Sequence, residues 1–244
     1  MRSNNEKMKL SIIITVYSET ISLVETVEKI IKLDRGYIYE IILTVSPKSS
    51  EECMRVCKKL EEKYSNIIYY TQKKHPGVGY AIREAMDLAK GSYIALVAGD
   101  LETEPEAVDR MITKIEETEC DGVIGNRWLK DGGFRNYNRF KLILNYLFQQ
   151  VFKVLFWTKL GDLTYGFKIL SSDICKKISW EGTLHEIYIE TTIKPIKAGY
   201  NIQQIPTIWI SRKEGVSNNT FFKNFRYIKM AIKVLFSVKV RNKK

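Results

Sequence analysis

The sequence predicts an α/β chain whose mostly parallel central sheet carries helices on both faces. Three observations predict it. Short apolar runs alternate with stretches of helical spacing through the first half of the 244 residues. Gly91 stands just past one of those stretches, where helices end, and Pro105 stands at the start of another, where a missing N–H costs little. Strands joined by helical crossovers lie parallel and are covered on both sides. In order, Leu10–Val16 (LSIIITV) reads as a buried strand and residues 20–32 as a helix. A second strand over 40–45 precedes a charged helix over 49–64, and a third strand over 66–71 precedes a helix over 78–90. Residues 92–98 form the fourth strand and 105–117 the next helix. No linker rich in Pro, Gly or Ser divides the chain, so the second half reads as an extension that completes one site.

Composition excludes several classes. A chain with 45% hydrophobic and 27% charged residues is neither disordered nor collagen-like. Its four cysteines, Cys53, Cys57, Cys120 and Cys175, are too few for a disulfide framework, so reduced thiols in the cytoplasm are expected. Cys53 and Cys57 share a helix face but lack the nearby partners of a zinc site. The apolar run near the start is only Leu10 to Val16 and no small-residue cleavage site follows, so no secretory leader is expected.

The net charge of +11 is concentrated. Residues 215–244 contain eight basic side chains and no acid, and residues 122–161 contain seven basic side chains and one acid, Asp131. The remainder of the chain is therefore slightly acidic. Both basic segments are aromatic-rich and helical in pattern. Residues 139–157 (RFKLILNYLFQQVFKVLFW) fall short of the roughly 20 apolar residues of a membrane span, and a central lysine costs roughly 2.5–3.5 kcal/mol on insertion. That segment reads as a helix in an interface or partly in the core. In residues 221–236 the apolar set Phe221, Phe222, Phe225, Ile228, Ile232, Leu235 and Phe236 shares one side, beside Lys223, Arg226, Lys229 and Lys233. A basic amphipathic helix suits an anionic membrane surface, and a core-packed helix with a solvated flank gives the same pattern. No nucleic-acid recognition motif is present, so nucleic acid is not an expected partner.

Ligands of parallel sheets bind beyond the carboxyl ends of the strands. There the sequence places Thr15-Val16-Tyr17-Ser18-Glu19 and Gly99-Asp100-Leu101-Glu102. Asp100 and Glu102 are two carboxylates able to reach one hard divalent cation, and equally able to favour a helix N-terminus together with Glu104. His75-Pro76-Gly77-Val78-Gly79 opens a helix and can offer backbone N–H groups to phosphate, or serve as a tight turn.

The stretches LSIIITVYSET, QKKHPGVGYAIREAMDLAKGSYIALVAGDLETEPEAV, DGVIGNRW, LGDLTYGFKIL and IPTIWISRKEGVSN together resemble the family 2 glycosyltransferases, nearest the dolichyl- or polyprenyl-phosphate sugar synthases. The resemblance runs from about Leu10 to Asn218. It implies the GT-A nucleotide-diphospho-sugar transferase fold over 1–218, with 219–244 as a basic amphipathic C-terminal helix. It implies nucleotide contacts near Thr15, Tyr17, Glu19, Gly79, Gly99 and Asp100, and Mg²⁺ or Mn²⁺ on Asp100 and Glu102. Arg127 matches the arginine of a Gly-Ser-Arg-Tyr motif, and Asp162, Gly166 and Phe167 match Asp-x-x-Ser-Gly-Phe. Arg212, Gly215 and Ser217 match Arg-x-x-Gly-x-Ser. This chain departs from the pattern at Ala98, where a first acid is expected, at Val45 and Ser46 in place of paired aspartates, at Tyr165 and at Asn218.

The implied reaction is inverting sugar transfer from a UDP- or GDP-linked donor to a polyprenyl phosphate, on the inner face of the cell membrane. Arg127 and Arg212, with Arg139 or Lys141, would align phosphates. A phosphate acceptor is already nucleophilic, in keeping with only two histidines, His75 and His185. A sugar-hydroxyl acceptor in envelope glycan synthesis would need a base, for which Asp162 and then Glu190 are the candidates. A degenerate protein that binds nucleotide sugar without turnover is the third reading.

Overall fold

The structure, a computed structural model, describes residues 8–211 and 224–237. The first half is built as the pattern predicts: β1 (Leu10–Val16), α1 (Ile21–Lys32), β2 (Ile38–Val45), α2 (Glu51–Lys63), β3 (Ile67–Thr71), α3 (Val78–Leu88), β4 (Tyr93–Ala98) and α4 (Ala107–Thr118). The second half adds β5 (Gly122–Asn126), β6 (Gly133–Arg135), α5 (Arg139–Leu155), β7 (Lys168–Ser171), α6 (Ser172–Lys177), α7 (Ile187–Lys197), β8 (Ile202–Pro206), β9 (Ile208–Ile210) and α8 (Asn224–Ser237). Seven strands form one sheet in the order β3-β2-β1-β4-β7-β5-β8. β7 alone runs antiparallel to its neighbours β4 and β5. β6 and β9 pair in parallel as a separate ribbon.

The sheet is buried on both faces because its strands are continuous apolar runs. Alternate residues of β1 serve different cores. Leu10, Ile12, Ile14 and Val16 meet α1, α2 and α4, while Ile13 faces α3, α6 and α7. A third cluster joins Ile124 of β5 to Phe152 of α5, Ile189 and Ile193 of α7, and Tyr227, Met230, Ala231 and Val234 of α8. Thus α8 is seated on α7, with Phe225, Ile228, Ile232 and Phe236 left exposed. The expected boundary at 218 and residues 221–223 lie outside the described residues.

The amino-terminal edge of the sheet is closed by its own polar groups. Ser11 donates to Glu40 Oε1 at 2.6 Å, Lys90 N–H donates to the same oxygen at 2.6 Å, and Gly91 N–H donates to Ser11 Oγ at 2.8 Å. A Cβ on Gly91 would stand 2.6 Å from both Lys9 O and Ser11 N. With that edge sealed, the carboxyl ends of β1 and β4 are left to carry a site. Gly91→Ala is expected to destabilise the fold by about 1–3 kcal/mol, because backbone on both sides cannot yield. Thermal unfolding of the variant checks this, and an unchanged midpoint would show that the edge is not closed in this way.

Candidate active site

β1 and β4 are neighbours in register, Thr15 lying against Ala98, so the loops that follow them emerge side by side. In the first, Glu19 Oε2 accepts the N–H groups of Tyr17 and Ser18, at 2.7 and 2.9 Å, which folds the carboxylate back over its own loop. In the second, Asp100 is 8% exposed and its Oδ1 accepts the Glu102 N–H at 3.1 Å. Leu101 between them adopts φ +58°, a left-handed conformation uncommon for a residue with a side chain. Gly99 leads into this turn beside Ile14, Leu23 and Glu19. Glu102 does not cap the following helix, which starts at Ala107; its Oε2 instead accepts the Trp209 indole N–H at 3.2 Å.

The donor set at this turn is two hard carboxylate oxygen sources, each positioned by an N–H group. A divalent cation of the Mg²⁺ class accepts one or two carboxylates and takes its remaining ligands from water and substrate phosphates. The residues fit such an ion when a diphosphate is present. Without one, no cluster of three His, Cys, Asp or Glu side chains among the described residues is arranged to hold a metal.

A second charged pair lies close by. Asp162 is fully buried, and Arg127 grips it with two parallel bonds, Nε to Oδ2 at 2.7 Å and an Nη to Oδ1 at 2.8 Å. The Arg127 backbone N–H adds a third at 3.1 Å. Gln149 of α5 adds a weaker contact to Asp162 Oδ1 at 3.3 Å, while donating to Thr164 at 2.6 Å and accepting the Leu163 N–H at 2.9 Å. Burial works against the Arg127 charge, but the Asp162 carboxylate more than reverses this and holds the guanidinium above its ordinary pKa. The guanidinium also lies over the rings of Tyr165, at 4.2 Å, and Phe134, at 4.9 Å.

Two tyrosines connect the pairs. Burial raises the Tyr165 phenol against the pull of Arg127, and Asp162, Glu102 and Asp100 raise it further. Burial also raises Tyr188, followed by Asp100, Glu102 and Glu19, with the neighbouring Thr15 hydroxyl partly offsetting them. The Tyr188 ring occupies the space a side chain on Gly166 would need, 2.9 Å from the position of its Cβ. Tyr188 is in turn tethered from below by Lys168, a fully buried lysine that donates to Tyr188 O at 2.7 Å, Thr192 Oγ1 at 2.6 Å and Thr191 Oγ1 at 3.1 Å. Both threonine hydroxyls donate to carbonyls of α7, so they accept from the lysine. Burial lowers Lys168 to about 7, against the opposing pull of Asp162.

The structure therefore brings together Thr15, Tyr17, Glu19, Gly99, Asp100 and Glu102 at one sheet edge, with Arg127 and Asp162 beside them. Three expectations need correction. Gly79 is no phosphate cradle: its N–H donates to Thr183 O at 3.1 Å, and a Cβ there would stand 2.5 Å from Gly182 O. Asp162 is not poised as a base, since both oxygens are bonded to Arg127. Glu190, the second candidate base, is likewise engaged: it is fully buried and accepts the N–H groups of Glu181 and Gly182 while pairing with Lys194 at 2.6 Å. Arg139 and Lys141 lie exposed at the start of α5, away from the acidic turn in sequence and capped there by Asn138. Arg212, Gly215, Ser217 and Asn218 lie outside the described residues. Sequence reasoning missed Gln149, Lys168, Tyr188 and Trp209. An isolated Gln or Lys inside an apolar run was the available signal for the first two.

The profile of Glycosyl transferase family 2 matches residues 11–179. The chain is 22% identical over 238 residues to the dodecaprenyl-phosphate galacturonate synthase of Rhizobium johnstonii, covering 97% of this chain and 69% of that protein. It is 25% identical over 228 residues to the dolichol-phosphate mannosyltransferase of Pyrococcus furiosus, covering 91% of this chain and 63% of that protein. Among solved structures, glucosyl-3-phosphoglycerate synthase from Mycobacterium tuberculosis, in complex with Mn²⁺, UDP and phosphoglyceric acid, superposes with a TM-score of 0.69 at 13% identity. That match covers 94% of this chain and 78% of the other, and it shows a shared GT-A fold.

Asp162→Asn would leave the buried guanidinium without a counter-charge. The expected loss is about 3–5 kcal/mol, seen as a lower unfolding midpoint. Arg127→Met combined with Asp162→Leu is expected to recover much of that loss. A variant Asp162→Asn that melts like the parent would show that the pair carries no such weight.

Proposed function

The chain belongs to glycosyl transferase family 2 and is a glycosyltransferase, and from that premise we propose that it moves a sugar from a nucleoside diphosphate to a polyprenyl phosphate at an anionic membrane surface. The observation that carries the reading is the Asp100-Leu101-Glu102 turn at the carboxyl end of β4, set beside the β1 loop in a chain that resembles two polyprenyl-phosphate sugar synthases. The donor is a UDP- or GDP-sugar, and Asp100 and Glu102 would hold the Mg²⁺ or Mn²⁺ that accompanies its diphosphate. When bound, that ion neutralises the charge gathering on the departing nucleotide.

The protein's own residues prepare the rest. Asp162 fixes the plane of Arg127 and takes two of its five N–H donors, so any phosphate oxygen is met by the donors that face away from Asp162. An acceptor phosphate oxygen attacks the anomeric carbon from the side opposite the diphosphate. One carbon–oxygen bond forms as the other breaks, and the electron pair leaves on the nucleotide with inversion at carbon. No proton need be removed from a phosphate acceptor. The engagement of both candidate bases, Asp162 with Arg127 and Glu190 with Lys194, supports that acceptor over a sugar hydroxyl.

Membrane association is supported by α5 and α8. Of α5's 17 residues only Gln149 and Phe152 are buried, while Phe140, Ile143, Leu147, Val151 and Val154 form an outward stripe. No helix among the described residues is long and apolar enough to cross a membrane. An apolar stripe flanked by Arg139, Lys141 and Lys153 suits the boundary between headgroups and acyl chains, at the inner face of the membrane.

Incubation with radiolabelled UDP- and GDP-sugars, polyprenyl phosphate and Mn²⁺ is expected to give a lipid-extractable product that chelator abolishes. Asp100→Asn and Glu102→Gln are each expected to lower kcat/KM about 100-fold or more while the protein remains folded. No product from any donor, or full activity in both variants, would overturn the reading. In a separate measurement, Val151→Asp with Val154→Asp is expected to weaken co-sedimentation with phosphatidylglycerol vesicles about tenfold or more, since each charge opposes insertion. Unaltered sedimentation would remove α5 from the membrane contact.

A further inference from the structure

The outward stripe of α5 continues into a series of aromatic rings. Tyr146 on that helix meets Trp128 edge-on, with centroids 5.3 Å apart, and Trp128 meets Phe134 at 4.7 Å. Phe134 meets Tyr137 at 5.1 Å, and Tyr137 meets Trp209 edge-on at 5.0 Å. Trp209 then donates its indole N–H to Glu102. Five rings thus lead from the exposed apolar face to the acidic turn, and none of them is fully buried. Tyr146, Trp128, Phe134 and Tyr137 belong to none of the three hydrophobic cores and pack chiefly on one another. Arg127 lies over Phe134, midway along the series.

Half-buried rings in a row keep apolar surface in contact with water, which folding alone gives no reason to do. We infer that this ladder is a track for the lipid acceptor, receiving the isoprenoid units next to the phosphate while the phosphate itself lies toward Arg127 and the acidic turn. This rests on the lipid-phosphate reading above. The chemistry selects the occupant. Ring faces and edges offer dispersion contacts to methyl-branched, polar-free isoprene units, and four ring-to-ring steps of about 5 Å each reach well beyond one sugar ring. A sugar would also demand hydrogen-bonding groups around its rim. Along the rungs between Tyr146 and Trp209 the indole N–H of Trp128, buried and without a partner among the described residues, is the clearest spare donor. The ladder also joins the two places such a substrate must occupy at once, the membrane face that holds its tail and the turn that holds the sugar donor.

The test compares Phe134→Ala and Tyr137→Ser with the parent, with Phe134→Tyr as the conservative control. The variants are expected to raise KM for polyprenyl phosphate about tenfold, leaving kcat and the KM for nucleotide sugar within about twofold, and Phe134→Tyr is expected to restore the parent value. Binding is read separately from turnover by quenching of intrinsic tryptophan fluorescence. Citronellyl phosphate is expected to quench saturably in the parent and not in Phe134→Ala, and inorganic phosphate is expected not to quench at all. Unchanged acceptor KM in both variants, or a parallel loss of donor and acceptor affinity, overturns the track. If the parent makes no lipid-linked product, the proposed reaction fails and the fluorescence arm decides alone. Quenching by citronellyl phosphate that Phe134→Ala abolishes then supports the track, and equal responses to citronellyl and inorganic phosphate, or none to either, overturn it.

Discussion

The buried bond between Arg127 and Asp162 is the constraint around which the second half of the molecule is arranged. Removing two charges from water costs several kcal/mol per ion, and their attraction recovers that only with matched geometry and further hydrogen bonds. Here the fork of Arg127 meets both carboxylate oxygens, its own backbone N–H adds another bond, and Gln149 closes the side toward α5. Three separate parts of the chain are thereby fixed to one point: the end of β5, the segment before β7, and the middle of α5.

That arrangement dictates which way α5 faces. Its inner side must present Gln149, with Asn145 one turn before it, so the apolar residues cannot all turn inward as they do on an ordinary surface helix. The helix is amphipathic in the reverse sense, with amide groups toward the protein and a stripe of Phe, Ile, Leu and Val toward solvent. The same substitution of roles appears at Lys168. A buried lysine at the start of a central strand is costly, yet its three donors meet three acceptors from the first two turns of α7, among them the backbone of Tyr188.

The first half of the fold was legible because period and punctuation agree there: strands are continuous apolar runs, one helix ends shortly before Gly91, and another begins shortly after Pro105. The acidic turn was legible for the same reason, since residues that follow a strand of a parallel sheet must emerge at its carboxyl edge. The second half resisted. The antiparallel placement of β7 between β4 and β5 leaves no trace in a four-residue run such as KILS. The family resemblance located Arg127 and Asp162 but not their bond to each other, because a motif fixes which residues matter and not which of their atoms are already engaged. Gly79 misled for a related reason. A glycine before a helix marks close approach of something, and here it is the backbone of Gly182 and Thr183.

β7 explains why the two halves make one site. By entering between β4 and β5 it brings Tyr165, Gly166 and Phe167 near the end of β4, the strand that leads into the Asp100 turn, so the phenol of Tyr165 comes to lie in the field of both charged pairs. Gly166 can be nothing larger, because the ring of Tyr188 stands where its side chain would be. The turn that would hold the sugar donor is thus anchored in the centre of the sheet, while the pair that would meet an acceptor is anchored through Gln149 to a helix whose apolar face is open. A molecule that must join a water-soluble donor to a substrate buried in lipid needs this division. One side of its site has to be immobile, and the other has to share its footing with the surface from which the acceptor comes.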